Sequence, residues 1–199
     1  LKKLQMKGKA RVCWKPSAMD LLHVLVNLGA DAQELTEFQA AFTQDEIRKH
    51  LDQEKDENII QLPNSKLNSE RFRTVLTVLT VALQGRSMVA REDLSFMFYM
   101  LAKVALDTSL DGSLAKNFHL CFASLIDHYS DSDWPAVVPE LCRQLSHVTD
   151  HHHNQVYLTG LLLPNTRGSY LQMRLSYTFL YNQLSPETQQ LDDSQLQDM

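Results

Sequence analysis

Residues 69 to 85, "SERFRTVLTVLTVALQG", decide the fold class. Their threonine and valine content favours a strand, yet apolar pairs recur every third residue as Val75-Leu76, Val78-Leu79 and Val81-Ala82. The period points to a helix, because strict alternation is absent and the run exceeds ordinary strand length. Ser69 stands where a helix start is capped and Gly85 where a helix ends. Being apolar over a wide arc, this helix is expected to lie centrally.

The flanking sequence has the same character. Pro16 and Ser17 open a segment with Met19, Leu21, Leu22, Val24, Leu25 and Leu28 on one face, and Gly29 closes it. "DAQELTEFQAAF" and "TQDEIRKHL" read as two short helices, the second opened by a Thr43/Glu46 capping box. Residues 52 to 68 are polar and broken by Pro63, which marks an internal loop. "REDLSFMFYMLAKVALD" and "SLAKNFHLCFASLIDHY" are helical stripes joined by a short turn. "DSDWPAVVPELCRQLSHV" offers Asp131, Ser132 and Asp133 as caps, "NQVYLTGLLL" stops at Pro164, and "GSYLQMRLSYTFLYNQL" carries the last stripe. With about eight or nine helices and no persuasive strand, the expected fold is all-α, an irregular bundle or solenoid-like array of antiparallel helices. The organisation expected is an N-terminal arm (1–15), a helical domain (16–184) and a polar acidic tail (185–199).

At 199 residues, 44% hydrophobic and 22% charged, the chain can bury a core without a disulfide or a metal. Cys13, Cys121 and Cys142 lack CxxC spacing, which is expected of a reducing compartment. Nowhere do 18 apolar residues run together, so no membrane contact is expected, and the start reads as part of something longer.

The net charge of -5 hides an asymmetry: Lys2, Lys3, Lys7, Lys9, Arg11 and Lys15 all precede the first acidic residue. Without those six basic groups the remainder holds 13 basic against 24 acidic residues. Such a body repels nucleic acid, whereas the arm can touch phosphates weakly and without sequence preference. The plainer reading of the arm is a solvated basic tail.

"SHVTDHHHNQ", residues 146 to 155, raises the question of a zinc site built from Cys142, His147, His151 and His152 or His153. Consecutive side chains cannot all face one ion, and no established ligand spacing is present. The run therefore reads as a joint between helices, in which His153 or Asn154 caps the helix that follows. "DTSLDGSLAKNF" begins like a calcium loop at Asp107, Ser109, Asp111 and Gly112, but Phe118 stands where a bidentate carboxylate is required. GxSxG, Walker and GxGxxG motifs are absent, so no enzyme, metal or cofactor is expected.

One segment carries a family resemblance. "PELCRQLSHVTDHHHNQVYLTGLLLPNTRGSYLQMRLSYTFL" resembles the helical domain of the FAM178-type family, that of localisation factor two of the structural maintenance of chromosomes (SMC) five-six complex. The matching positions are Pro139, Glu140, Leu141, Cys142, His151, His152, His153, Asn154, Arg167, Gly168, Leu175 and Ser176. The resemblance implies a nuclear, non-enzymatic adaptor similar to yeast non-SMC element six. It further implies a partner like element five, of the localisation factor one or SUMO-interacting-motif-containing type, and recruitment of the SMC five-six complex to chromatin or DNA damage. Trp14, Trp134, Tyr157, Tyr170 and Tyr177 are the expected anchors of such an interface, because aromatic residues dominate hot spots. Arg167 and Arg174 are expected either to meet an acidic partner surface or to be solvated.

Overall fold

The computed structural model describes residues 16–31, 35, 69–84, 89, 91–107, 110, 112–162 and 165–184. The basic arm, the second of the two short helices and its capping box, the loop 52–68, Gly85, Pro164 and the acidic tail lie outside the described residues, as does most of the first short helix. Seven α-helices and one 3-10 turn make up the described part, with no strand among them. They are α1 (Ala18–Asn27), α2 (Ser69–Gln84), α3 (Arg91–Ala105), α4 (Ala115–Ile126), α5 (Trp134–Ser146), α6 (His152–Gly160) and α7 (Thr166–Leu184). The all-α expectation holds.

The deciding stretch is α2, and its threonines show how a strand-prone composition fits a helix. Thr77 and Thr80 each donate a hydroxyl to the carbonyl four residues back, Arg73 and Leu76, at 2.8 and 2.7 Å. That internal bond removes the usual conflict between a β-branched polar side chain and the helix. Phe72, Leu76, Leu79 and Leu83 then form one buried stripe. The expected central position is corrected: Val78 and Val81 are 51% and 64% exposed, so α2 is a peripheral helix with a single buried face. The central role belongs to α3, whose residues Phe96 to Ala102 are all buried, and which packs on α1, α4 and α5.

Aromatic side chains join these layers. Phe72 of α2 lies 5.6 Å from Phe118 of α4, and Phe98 of α3 stacks on Phe122 of α4 at 4.7 Å. Such pairs add about 0.5–1.5 kcal/mol each beyond the area they bury. Helix α7 packs on α4, α5 and α6 together, so contacts pass beyond sequence neighbours. Between the two architectures expected, this is the irregular bundle, since a solenoid repeat touches only the next repeat.

Helix ends follow local chemistry. At α1, Ser17 Oγ accepts from the Asp20 amide and Asp20 accepts from the Ser17 amide, both at 3.0 Å, a reciprocal capping box beyond the Pro-first-turn signal. The chain leaves α1 through Gly29 at φ 104°, where a side chain would be strained. At α5 Asp133, one of the three expected caps, holds the N-cap position, but its side chain makes no cap bond, and Ser130 Oγ accepts from the Asp133 amide at 3.2 Å. At α6 the capping residue is His151, with no side-chain cap; His153 and Asn154 are already helical.

Candidate functional site

The last helix has two apolar faces. Gly168, Leu171, Leu175 and Phe179 are buried against the bundle. On the other side Tyr170, Met173, Tyr177, Leu180, Tyr181 and Leu184 are between 41% and 82% exposed. At 100° per residue these six positions fall within an arc of about 100°. They form one continuous stripe along the whole helix, and the rings of Tyr177 and Tyr181 stack at 6.3 Å. Exposed single apolar residues are ordinary, whereas a contiguous apolar stripe of this length stands out from an ordinary solvated helix face. Of the expected interface residues, Tyr170 and Tyr177 lie on the stripe, and the exposed Arg174 lies beside it. Met173, Leu180, Tyr181 and Leu184 were not among them; their signal was a second helical period opposite Leu171, Leu175 and Phe179.

Other expected anchors sit elsewhere. Trp134 is 7% exposed at the start of α5, 5.9 Å from the ring of Tyr129. Arg167 lies over the Trp134 indole at 5.5 Å and turns inward. Its Nη1 donates to the carbonyls of Ile126 at 3.1 Å and Tyr129 at 2.6 Å, and its Nη2 pairs with Asp131. Arg167 therefore closes the C-terminal end of α4, where unpaired carbonyls and the helix dipole favour a cation. Its guanidinium is engaged within the chain, and its side chain is 20% exposed. Tyr157 is 42% exposed on α6. Trp14 and the six basic residues of the arm lie outside the described residues.

The histidine run forms a joint with Thr149 at its centre. Thr149 Oγ1 accepts from the His151 amide and from Asn154 Nδ2 at 3.3 and 3.4 Å, and its carbonyl accepts from Gln155 Nε2 at 3.2 Å. The rings of His152 and His153 lie 4.0 Å apart, and both residues are exposed, as is His151. His147 ends α5, and partial burial, together with the nearby Arg143, lowers its pKa against the opposing pull of Asp150. Among the described residues no group of three or more histidine, cysteine or acidic side chains is arranged to hold a metal ion. Cys142 is turned into the bundle toward Thr178 and Arg174, and burial pushes its thiol up to about 11. Cys121, beside Thr80, is pushed up to about 12 by the same cause. No helix among the described residues is long and apolar enough to cross a membrane.

Residues 2–188 match the family model of the Coiled-coil and Nse Interacting (CANIN) domain. The chain belongs to the CANIN domain family. It is similar to the zebrafish (Danio rerio) protein named SMC5-SMC6 complex localization factor protein 2, with 22% identity over 186 residues. That match takes in 89% of this chain and only 16% of the relative's length. No solved structure matches it.

Within this CANIN domain the positions that carried the resemblance are mostly joints of the fold. Leu141 and Cys142 are buried in α5 against α7. Glu140 accepts from Arg143 Nε at 3.0 Å and from Gln144 Nε2 at 2.8 Å on the same helix, and Pro139 sits in that helix on its exposed side. Gly168 is helical: Asn165 Oδ1 accepts from the Gly168 amide at 2.6 Å and starts the helix there.

Proposed function

We propose that this CANIN domain is a non-enzymatic docking module that pairs with a helical protein of the element-five class and thereby recruits the SMC five-six complex to chromatin or DNA damage sites in the nucleus. The observation that carries the reading is the exposed stripe from Tyr170 to Leu184, opposite the face α7 uses for its own core. Tyrosines supply large contact area at a small entropy cost, and a stripe of this spacing suits a partner helix or helical groove. Membership in a family described as Nse-interacting, and likeness to a localisation factor of the SMC5-SMC6 complex, support the choice of partner.

The test is co-elution of the purified chain with localisation factor one or the SUMO-interacting-motif-containing protein. The parent chain is expected to bind one of them, and the double substitution Tyr177→Glu, Leu180→Glu to abolish binding while leaving the circular dichroism melt unchanged. Binding that survives the double substitution, or a parent chain that binds neither protein, refutes the reading.

A second reading rests on the six basic residues that precede the first acid. In it the arm contacts nucleic acid without sequence preference, with affinity that falls steeply with salt. Deleting residues 1–15 is expected to remove that affinity, and unchanged binding after the deletion rejects it.

A further inference from the structure

The outer stripe of α7 has a regular step as well as a direction. Tyr170, Met173, Tyr177, Leu180 and Leu184, all exposed, follow one another at intervals of three, four, three and four residues. That alternation is the seam of a coiled coil, in which each such residue inserts between side chains of one facing helix. At 100° per residue the five positions lie within an arc of about 80°, the narrow stripe that a single helix covers. The inner face lacks the alternation: Gly168, Leu171, Leu175 and Phe179 step by three, four and four, and pack on several helices at once.

Two heptads are too few to hold a free coiled coil together, since isolated helices of about 12–15 residues are marginal in water. Helix α7 is not isolated. Leu171, Leu175 and Phe179 fix it in the core, so it meets a partner already folded and only the partner has ordering left to do.

Charge and size then select the partner. Arg174 and Tyr181 flank the seam, at the positions where coiled coils place the ion pairs that set partner choice. Helix α7 contains no acidic residue, and Arg174 is exposed with no ion pair among the described residues. A second copy of α7 would set tyrosines against tyrosines and offer Arg174 no carboxylate. Helix axes pack about 8–10 Å apart, so the bulk of Tyr177 requires small side chains across from it.

We propose that α7 takes one partner helix lengthwise in coiled-coil packing, and that this helix carries Asp or Glu beside Arg174 and small residues such as Ala facing Tyr177. The inference rests on the docking reading above and narrows its occupant from a helix or a groove to one acid-flanked helix.

The experiment is selection of helical peptides about three heptads long, randomised on an alanine-rich frame, against the full chain, with fluorescence anisotropy of the peptides selected. They are expected to carry apolar residues in three-four alternation with Asp or Glu on one flank. Their affinity should fall at least tenfold in the double substitution Tyr177→Glu, Leu180→Glu and at least fivefold in Arg174→Glu, which in its own selection should enrich Lys or Arg instead. Selected peptides without the alternation, or an acid preference that Arg174→Glu leaves unchanged, overturn the proposal. A dimer in sedimentation equilibrium that Tyr177→Glu dissolves does the same, because a second copy is then the occupant. So does peptide affinity that rises at least fivefold in the full chain carrying Leu191→Lys and Leu196→Lys, which assigns the stripe to the chain's own tail. If localisation factor one or the SUMO-interacting-motif-containing protein binds through Tyr177 and Leu180 while no such helix is selected, this inference fails alone; if neither protein binds, the docking reading fails with it.

Discussion

The guanidinium of Arg167 and the indole of Trp134 face each other at 5.5 Å, so the first turn of α7 is locked over the first turn of α5. The same guanidinium donates to Ile126 and Tyr129 at the end of α4, which makes one side chain a fastener for three helices. With 20% of that side chain exposed, its charged hydrogen bonds are only partly screened.

Arg167→Ala is expected to destabilise the domain by about 2–3 kcal/mol, the loss of charge-assisted bonds to buried carbonyls. Arg167→Lys should recover only part of this, because an ammonium cannot span both carbonyls and stack on the indole. Asp131→Asn should change little, its side chain being 99% exposed. Urea midpoints of the three variants check the order, and an alanine variant as stable as the parent contradicts the fastener role.

A contrast along α7 separates its two faces. Leu175 is fully buried, so Leu175→Ala should cost about 2–5 kcal/mol through lost burial and a residual cavity. Tyr177 is 62% exposed, and Tyr177→Ala should stay within about 0.5 kcal/mol of the parent. Thermal denaturation of both measures the difference; similar losses at the two sites would mean the outer stripe is covered by the chain itself.

What could be read from the residues, and what could not, follows from the range of each interaction. Helical character was legible even in α2, because the spacing of Leu76, Leu79 and Leu83 is a local property. The inner face of α7 was legible for the same reason. Which helix lies at the centre was not, since α3 is central by virtue of what packs around it. The roles of Trp134 and Arg167 also stayed hidden, because each takes its place only when α4, α5 and α7 meet. Ser130 and Asn165 are a different case: both are ordinary capping residues, overlooked because Asp131, Ser132 and Asp133, or Gly168, stood nearer the expected ends.

Cys121 and Cys142, with thiols raised to about 12 and about 11 from an ordinary 9.0, are expected to resist alkylation in the folded chain. Iodoacetamide at pH 8 should modify them only when urea unfolds the protein, as read by peptide mass spectrometry. The same shifts affect stability at high pH. The unfolded thiols release protons from about pH 9 upward while the folded ones keep them, so their contribution falls as pH rises from there toward 11 and 12. Replacing both residues with alanine should flatten that part of the stability profile, and rapid native-state labelling would show that the thiols are accessible.

His147 reports on the joint between α5 and α6. Its pKa is lowered, first by partial burial and then by Arg143, with Asp150 pulling the other way. As pH falls through the ordinary histidine value of 6.5, the unfolded chain takes up the proton before the folded one does. The contribution of His147 to stability is therefore complete above that value and declines below it. Proton NMR titration should find this ring titrating below the ordinary value, higher in Arg143→Gln and lower still in Asp150→Asn. A ring that titrates at or above the ordinary value, or that ignores both substitutions, would show that the joint does not hold His147 between those charges.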